Sequence, residues 1–372
     1  MKQKELVLVT GGAGFIGSHL VDALLSKGFR VRVLDNLSPP THNKTIPKWL
    51  NSGAEFIKGD VRKKTDWQKA LIGVDYIFHL AAYMDYHLDF SNFITSNTSS
   101  TALLYETIIQ NKQRVKKIII ASSQSVYGEG NYQCPKHGRF FADPRTELQL
   151  KNHQWEVVCP QDKVTATIIP EAETDELRPQ IPYAISKAAS EQLSLSLGKS
   201  HRIPTVVLRY SIVQGPRQSF RHFYSGALRD FSVRALAQLP IVMQEDAQQI
   251  RDFVNIHDVI ATHLLVMHDK KADYEVFNVG SGTETRVFKL AQMVCEVVGT
   301  PFKPEITREF RINSPRHSKM NIEKLKRLNW NPQRSLEESI REYVDWIRNY
   351  PEALRFWKNS YKTMHRKNIL RQ

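Results

Sequence analysis

The stretch Gly11-Gly12-Ala13-Gly14-Phe15-Ile16-Gly17 decides how this chain is read. It follows the apolar run LVLVT at residues 6–10 and opens a pattern of helical period over residues 15–27. A strand that becomes a helix across three glycines needs them for separate reasons. One lets the turn tighten, one lets the backbone approach a bound group, and one lets the helix lie close to the strand. The first N–H groups of such a helix have no partner within it, so they suit an anion such as a pyrophosphate. Gly28 then supplies a left-handed stop for the helix.

Strand signals recur at residues 31–35, 56–58, 76–80 and 118–121, with a second helical pattern at 97–110. This alternation predicts an α/β fold, a doubly wound parallel sheet covered on both faces. Asp35 ends the second strand 18 residues after Gly17 (35 − 17). An acid there accepts a hydrogen bond from a ribose 2′-hydroxyl and repels a 2′-phosphate. No arginine follows in Asn36-Leu37-Ser38, so the expected cofactor is NAD rather than NADP. Asp60 ends the third strand at the same edge and is a candidate for the adenine amino group, or else a simple turn aspartate.

A chain of 372 residues holds two to three domains, or one large and one small. Its 41% apolar and 24% charged content is that of a soluble globular protein and excludes wholesale disorder. Three cysteines cannot form a disulfide scaffold. With no secretory signal and no apolar run of about 20 residues, the expectation is a cytoplasmic protein without a membrane segment. Net charge is +14, and Arg355, Lys358, Lys362, Arg366, Lys367 and Arg371 crowd the C-terminus without an acid. That tail reads as a solvated, partly disordered end rather than a nucleic-acid surface.

The strand-helix alternation breaks over residues 129–182, which read as an insertion lying over the carboxyl edge of the sheet. A helix at 183–198 and a strand at 205–209 follow, then shorter mixed elements and a helix near 335–348. The division expected is a first domain over 1–212 and a smaller mixed α/β domain over 213–372, with about 253–266 returning to the first.

Tyr183 and Lys187 stand four apart and share one face of the helix. An unperturbed phenol titrates near ~10. A nearby ammonium and the positive nicotinamide ring both favour its anion, so the pair can serve as an acid/base at neutral pH. Ser122 and Ser123 leave the fifth strand at the same edge, where a hydroxyl could hold the reacting oxygen beside Tyr183. Within the insertion, Cys134-Pro-Lys-His137 and Cys159-Pro-Gln-Asp162 have the spacing of a small zinc knuckle. Structural zinc usually takes Cys or His, which makes Asp162 an awkward fourth ligand, and no metal is expected.

Several stretches together resemble the extended short-chain dehydrogenase/reductases, specifically the NAD-dependent epimerase/dehydratase group that acts on nucleotide sugars. They are TGGAGFIGSHL at 10–20, Asp35-Asn36-Leu37, Gly59-Asp60, HLAA at 79–82, SSQSVYG at 122–128, YAISK at 183–187, LRYSIVQGPR at 208–217, RDFVNIHDV at 251–259 and NVGSG at 278–282. The resemblance implies a Rossmann-type first domain and a homodimer. It implies Tyr183, Lys187 and Ser123 as catalytic residues. For the cofactor it implies Gly11, Gly14, Phe15, Ile16, Gly17, Asp35, Asn36, Asp60, Val61, Leu80, Ala81, Ala82, Asn97, Ser122 and Tyr210, with Tyr183 and Lys187. For a nucleotide-diphosphate sugar it implies Ser123, Gln124, Arg217, Arg251 and Arg311.

It also sorts among reactions. Dehydratases of this group carry an Asp–Glu pair just before the VYG-type tripeptide, and decarboxylating members keep the Glu. Gln124 and Ser125 stand there in this chain, and neither is a competent acid or base near neutral pH. The expected activity is therefore inversion at C4 through a transient 4-keto sugar. The alternatives are a net 4-dehydrogenase or ketosugar reductase and, more remotely, a non-catalytic binding module. Two positions depart from the group: Ile212 replaces an Asn, and Arg311-Ile-Asn-Ser314 lacks the usual acid. Pocket shape would depend on Tyr83, Met84, Asp85, Tyr86 and His87.

Overall fold

The computed structural model describes residues 4–85, 89–222 and 226–372. Seven parallel strands form its central sheet: β1 (Leu6–Thr10), β2 (Arg30–Asp35), β3 (Glu55–Lys58), β4 (Tyr76–His79), β5 (Lys117–Ser123), β9 (Thr205–Tyr210) and β14 (Val276–Val279). Their order is β14-β9-β5-β4-β1-β2-β3. The insertion contributes β6 (Asn131–Cys134), β7 (Gly138–Phe141) and β8 (Thr167–Ile169), a small antiparallel sheet with β6 in the middle. Short pairs complete the strands: β10 (Ile212–Gln214) with β13 (Phe253–Asn255), β11 (Ile241–Met243) with β16 (Pro304–Ile306), and β12 (Ile250–Arg251) with β15 (Thr285–Arg286).

The helices are α1 (Phe15–Ser26), α2 (Lys64–Ala70), α3 (Phe90–Phe93), α4 (Ser100–Gln110), α5 (Glu147–Lys151), α6 (Pro182–Ser200), α7 (Gly226–Leu236), α8 (Ile256–His268), α9 (Val287–Val298), α10 (Glu323–Lys326), α11 (Leu336–Ile347) and α12 (Ala353–Arg366). A π-helical turn, Ile94–Ser99, joins α3 to α4. Alternation along the strands divides the core in two. Val7, Val9 and Ile119 pack on one face with Leu20 and Leu24 of α1 and Val259 of α8. Leu6, Leu8, Ile118 and Ile120 pack on the other with Trp67 of α2 and Leu104 and Tyr105 of α4. The doubly wound sheet expected from the sequence is thus present. Strand order reverses between β4 and β1, and the carboxyl ends there form the crevice where such sheets hold ligands.

A separate core joins α7, α9, α11 and α12, with Leu228, Leu290, Tyr343 and Trp357 among its buried members. The basic C-terminus therefore departs from expectation. It forms α12, Trp357 is buried, and the Arg234 guanidinium lies 4.5 Å from the Trp357 ring centre. An apolar stripe under the charges holds the helix down, and the lysines and arginines snorkel from it. No helix among the described residues is long and apolar enough to cross a membrane.

Gly17 is the tightest point between β1 and α1. A Cβ there would meet the Gly11 carbonyl oxygen at 2.2 Å. The variant Gly17→Ala should lose about 1–3 kcal/mol of stability, read as a lower urea midpoint. An unchanged midpoint would mean that helix and strand are not locked here.

Candidate active site

The end of β1 organises the first half of the crevice. Thr10 Oγ1 accepts the N–H groups of Leu80 and Ala81, both at 3.1 Å, and lies 2.8 Å from Nδ1 of buried His79. Burial, with the Lys187 charge nearby, pushes that imidazole down to about 3, so it stays neutral. These bonds hold residues 79–82 against the glycine turn. Gly11 has φ +68°, and a Cβ on it would stand 2.9 Å from Ala81, so only glycine fits. No side chain caps the N-terminus of α1 after Gly14, which leaves the first-turn N–H groups of Phe15 and Ile16 without a capping partner. A turn that any Cβ would fill and an uncapped helix start suit the pyrophosphate of a dinucleotide.

Asp35 ends β2 beside this turn, and its carboxylate accepts the N–H of Ala13 at 3.1 Å and of Leu37 at 2.9 Å. It therefore braces the glycine turn. Burial pushes the Asp60 carboxyl up, but bonds from Arg62 (Nη2 at 2.6 Å) and Asn36 (3.3 Å) outweigh it and bring it to about 2. The neighbouring Val61 carbonyl accepts Trp67 Nε1 at 2.7 Å. Ala82 is exposed at the same edge.

The second half is built on α6, which starts with Pro182 at its first position, where a missing N–H costs nothing. Tyr183 stands beside Ser123 at the end of β5, whose hydroxyl favours the anion of the phenol. Ser123 Oγ accepts from Ser125, from N at 3.2 Å and Oγ at 3.0 Å. Lys187 Nζ donates to the Ala121 carbonyl at 2.7 Å and lies 6.0 Å from the centre of the Tyr183 ring. Burial pushes the Tyr183 phenol up to about 12, with the Ser123 hydroxyl pulling the other way. It pushes Lys187 down to about 8, opposed by Glu191. In the unliganded chain burial thus favours the protonated phenol, before any charge from a nicotinamide ring is added.

Asn97, in the π-helical turn, clamps the two halves. Its Oδ1 accepts the Tyr83 N–H at 2.8 Å, and its Nδ2 donates to the Tyr83 carbonyl at 3.0 Å and to Ser186 Oγ at 2.9 Å. Those bonds consume the amide, so Asn97 acts as a brace. Tyr210 hydroxyl lies 2.8 Å from His263 Nε2 in the core, and Ser122 gives its hydroxyl to buried Glu191. Neither hydroxyl is presented to the crevice. Tyr86 and His87 lie outside the described residues.

The remaining candidates part company. Gln124 Oε1 accepts from Ser318 Oγ at 2.9 Å. Arg251 donates to the carbonyls of Ile250 (2.8 Å), Arg316 (2.9 Å) and Pro315 (2.9 Å). Burial, and then the charges of Arg311 and Arg145 against that of Glu245, lower it to about 10, and it stays charged. Arg217 instead bonds Asp22 of α1 at 2.8 Å, in a pocket with Gly14 and Phe15. It stands on the glycine-turn side, apart from Arg251.

The model of the NAD dependent epimerase/dehydratase family matches residues 7–148 and 158–280. The chain belongs to this family. The family's cofactor is the one expected from Asp35 and the glycine turn. A dTDP-L-rhamnose 4-epimerase of Burkholderia thailandensis is 32% identical over 349 residues, spanning 92% of this chain and 94% of that protein. Among solved structures, UDP-glucose 4-epimerase of Thermotoga maritima with UDP-glucose is similar at TM-score 0.74 and 29% identity, covering 92% of this chain and 99% of that one. UDP-glucuronic acid 4-epimerase of Bacillus cereus with UDP-glucuronic acid and NAD gives 0.73 and 27%, with the same coverage. The family name spans epimerases and dehydratases, so it fixes the machinery and leaves the reaction to the side chains.

Sequence reasoning missed what lies behind Lys187. Glu191, one further turn along the Tyr183–Lys187 face, pairs with Arg209 (Nη2 at 2.7 Å), and Arg209 Nη1 donates to Tyr127 hydroxyl at 2.7 Å. Tyr127 donates to Asn278 at 2.7 Å. The i, i+4, i+8 spacing was the available signal. The variant Glu191→Ala would strand Arg209 in the core and should cost about 3–5 kcal/mol in chemical unfolding. A loss under about 1 kcal/mol would show that water replaces the carboxylate.

Proposed function

We propose that this family member inverts C4 of a nucleotide-diphosphate sugar through a transient 4-keto sugar and keeps its NAD throughout. The observation that carries the reading is the buried Lys187 on one helix face with Tyr183, 6.0 Å from its ring centre and next to Ser123, at a site where Gln124 and Ser125 replace the acids that elimination needs. Tyr183 takes the proton from the sugar 4-hydroxyl and later returns it. Ser123 holds the reacting oxygen. Lys187 supplies fixed positive charge beneath the phenol.

Gly11, Gly14, Gly17, the start of α1 and Asp35 would hold NAD, with Asp60 at the adenine end. When bound, NAD supplies the hydride acceptor and donor and one further positive charge. That second charge is needed because burial alone keeps the Tyr183 proton on. Arg251 and Arg311, close enough for their charges to repel, would take the diphosphate. Gripping the remote diphosphate holds the intermediate while its sugar end turns. Arg217, tied to Asp22 near Gly14, would serve the cofactor side rather than the sugar. A homodimer belongs to the same reading, covering the exposed Phe90, Ile94 and Ile185 beside α4 and α6.

In a screen of nucleotide sugars, the purified protein should interconvert C4 epimers without accumulating NADH. Stoichiometric NADH with added NAD would instead support the dehydrogenase. The variant Tyr183→Phe should lower kcat by about 10²–10⁴-fold while sugar binding persists. Activity should fall as pH drops and Tyr183 regains its proton, with a midpoint below the about 12 of the unliganded phenol. Replacing the lysine, Lys187→Met, should move that limb to higher pH. A limb that stays put would remove Lys187 from phenol activation.

A further inference from the structure

Two tight turns of the insertion face each other. The first joins β6 to β7, where Cys134 pairs with Gly138 and His137 stands between them. The second is closed by the Val158–Thr165 bridge and by bonds from Cys159 N to Val164 O (2.8 Å) and Lys163 N to Cys159 O (2.9 Å). Each turn reads Cys-Pro-x-ligand followed by a residue of positive φ, Gly138 at 79° and Lys163 at 62°. Each thus returns its fourth residue toward its own cysteine.

The potential ligand atoms of Cys134, His137, Cys159 and Asp162 all lie within 4.8 Å of one another. His137 Nδ1 is 3.6 Å from Cys134 Sγ, 3.4 Å from Cys159 Sγ and 3.3 Å from Asp162 Oδ2. Cys134 Sγ is 3.9 Å from both Asp162 oxygens. A single ring nitrogen carries one proton or one lone pair, so hydrogen bonding cannot satisfy three neighbours at once. A shared cation can. Ordinary zinc bond lengths in a tetrahedron put sulfur about 3.6 Å from nitrogen or oxygen, and nitrogen about 3.4 Å from oxygen. The spacings found follow that pattern.

We propose that Cys134, His137, Cys159 and Asp162 bind one Zn²⁺ ion as a structural site. Two thiolates, an imidazole and a carboxylate in tetrahedral array select zinc over magnesium or calcium. Both sulfurs are buried and all four positions are filled by the chain, which is the closed form of a structural centre. The sequence alone argued against a metal because of Asp162, yet a carboxylate oxygen is an acceptable fourth donor once the turns bring it in. The need is plain as well. The apolar cluster of the insertion is small, centred on Tyr132, Ala142, Val157 and Ala166, and offers little apolar surface to fix two turns. This proposal needs nothing of the sugar chemistry.

Metal analysis of the reduced, desalted full-length protein, expressed with zinc in the medium, should find about one zinc per chain. After removal of zinc with a chelator under reducing conditions, Co²⁺ should give the intense visible bands and thiolate charge-transfer band of a tetrahedral dithiolate site. The double variant Cys134→Ser/Cys159→Ser should lose both signals, and Asp162→Asn should weaken Co²⁺ binding at least about tenfold. Where the cysteine variant fails to fold, the Co²⁺ titration of the native sequence decides alone. Substoichiometric zinc with no thiolate–cobalt band would overturn the site, as would zinc retained by the folded double variant.

Discussion

A lysine ammonium buried at the carboxyl edge of a parallel sheet must be solvated by the protein, and the rest of this structure is arranged to do so. Lys187 reaches the Ala121 carbonyl at 2.7 Å, and the nearest formal countercharge acting on it is Glu191. Glu191 cannot be left with Lys187 alone, since an ionised carboxylate in the core needs partners of its own. Arg209 of β9 provides them through Nε and Nη2, Tyr127 stands on Arg209, and Asn278 of β14 accepts from Tyr127. One face of α6 is thereby tied to β5, β9 and β14. The position of Tyr183 follows from that tie, because Tyr183, Lys187 and Glu191 are successive turns of one helix.

The same constraint explains the unusual helix start before α4. Asn97 sits in a π-helical turn, the kind of local widening that often accompanies a functional site. The extra residue per turn lets its amide reach the Tyr83 backbone on one side and Ser186 on the other. Ser186 Oγ in turn donates to the Tyr183 carbonyl at 2.7 Å. The two halves of the crevice, one built on the glycine turn and one on α6, are thus held at a fixed separation. Rigid spacing of this kind is what a reaction between two bound groups requires.

The fold was largely legible because its signals are local. Apolar runs, a glycine triplet and helical period identify β1, α1, β2, β4 and α6 without knowledge of anything distant. Lys64–Ala70 was missed because its polar face outweighs Trp67 and Ala70, its only buried residues. The C-terminus was misjudged for a related reason. Charge counting weighs Arg355 and Lys358 and overlooks Ala353, Trp357 and Ser360, which share the buried face of α12. At the site, residue types were legible and orientations were not. Ser122 and Ser123 are neighbours on a strand, so they point to opposite faces. One goes to Glu191 and the other to Tyr183, and only the pleat decides which. Arg217 and Arg251 likewise both read as phosphate ligands, and only the fold shows that the first pairs with Asp22 of α1.

Arg316 and Arg251, neighbours at the edge of the insertion, are held in different ways. Arg316, fully buried, meets Glu156 at 2.6 Å, Asp246 at 2.7 Å and Glu245 at 3.1 Å, so its charge is spent within the protein. Arg251 lies against the backbone of Arg316 and donates to three carbonyls, with the charge of Glu245 acting on it from nearby. Arg311 adds a second positive charge close by. The Arg316 network fixes the backbone of residues 315 and 316, from which two of the carbonyls on Arg251 point.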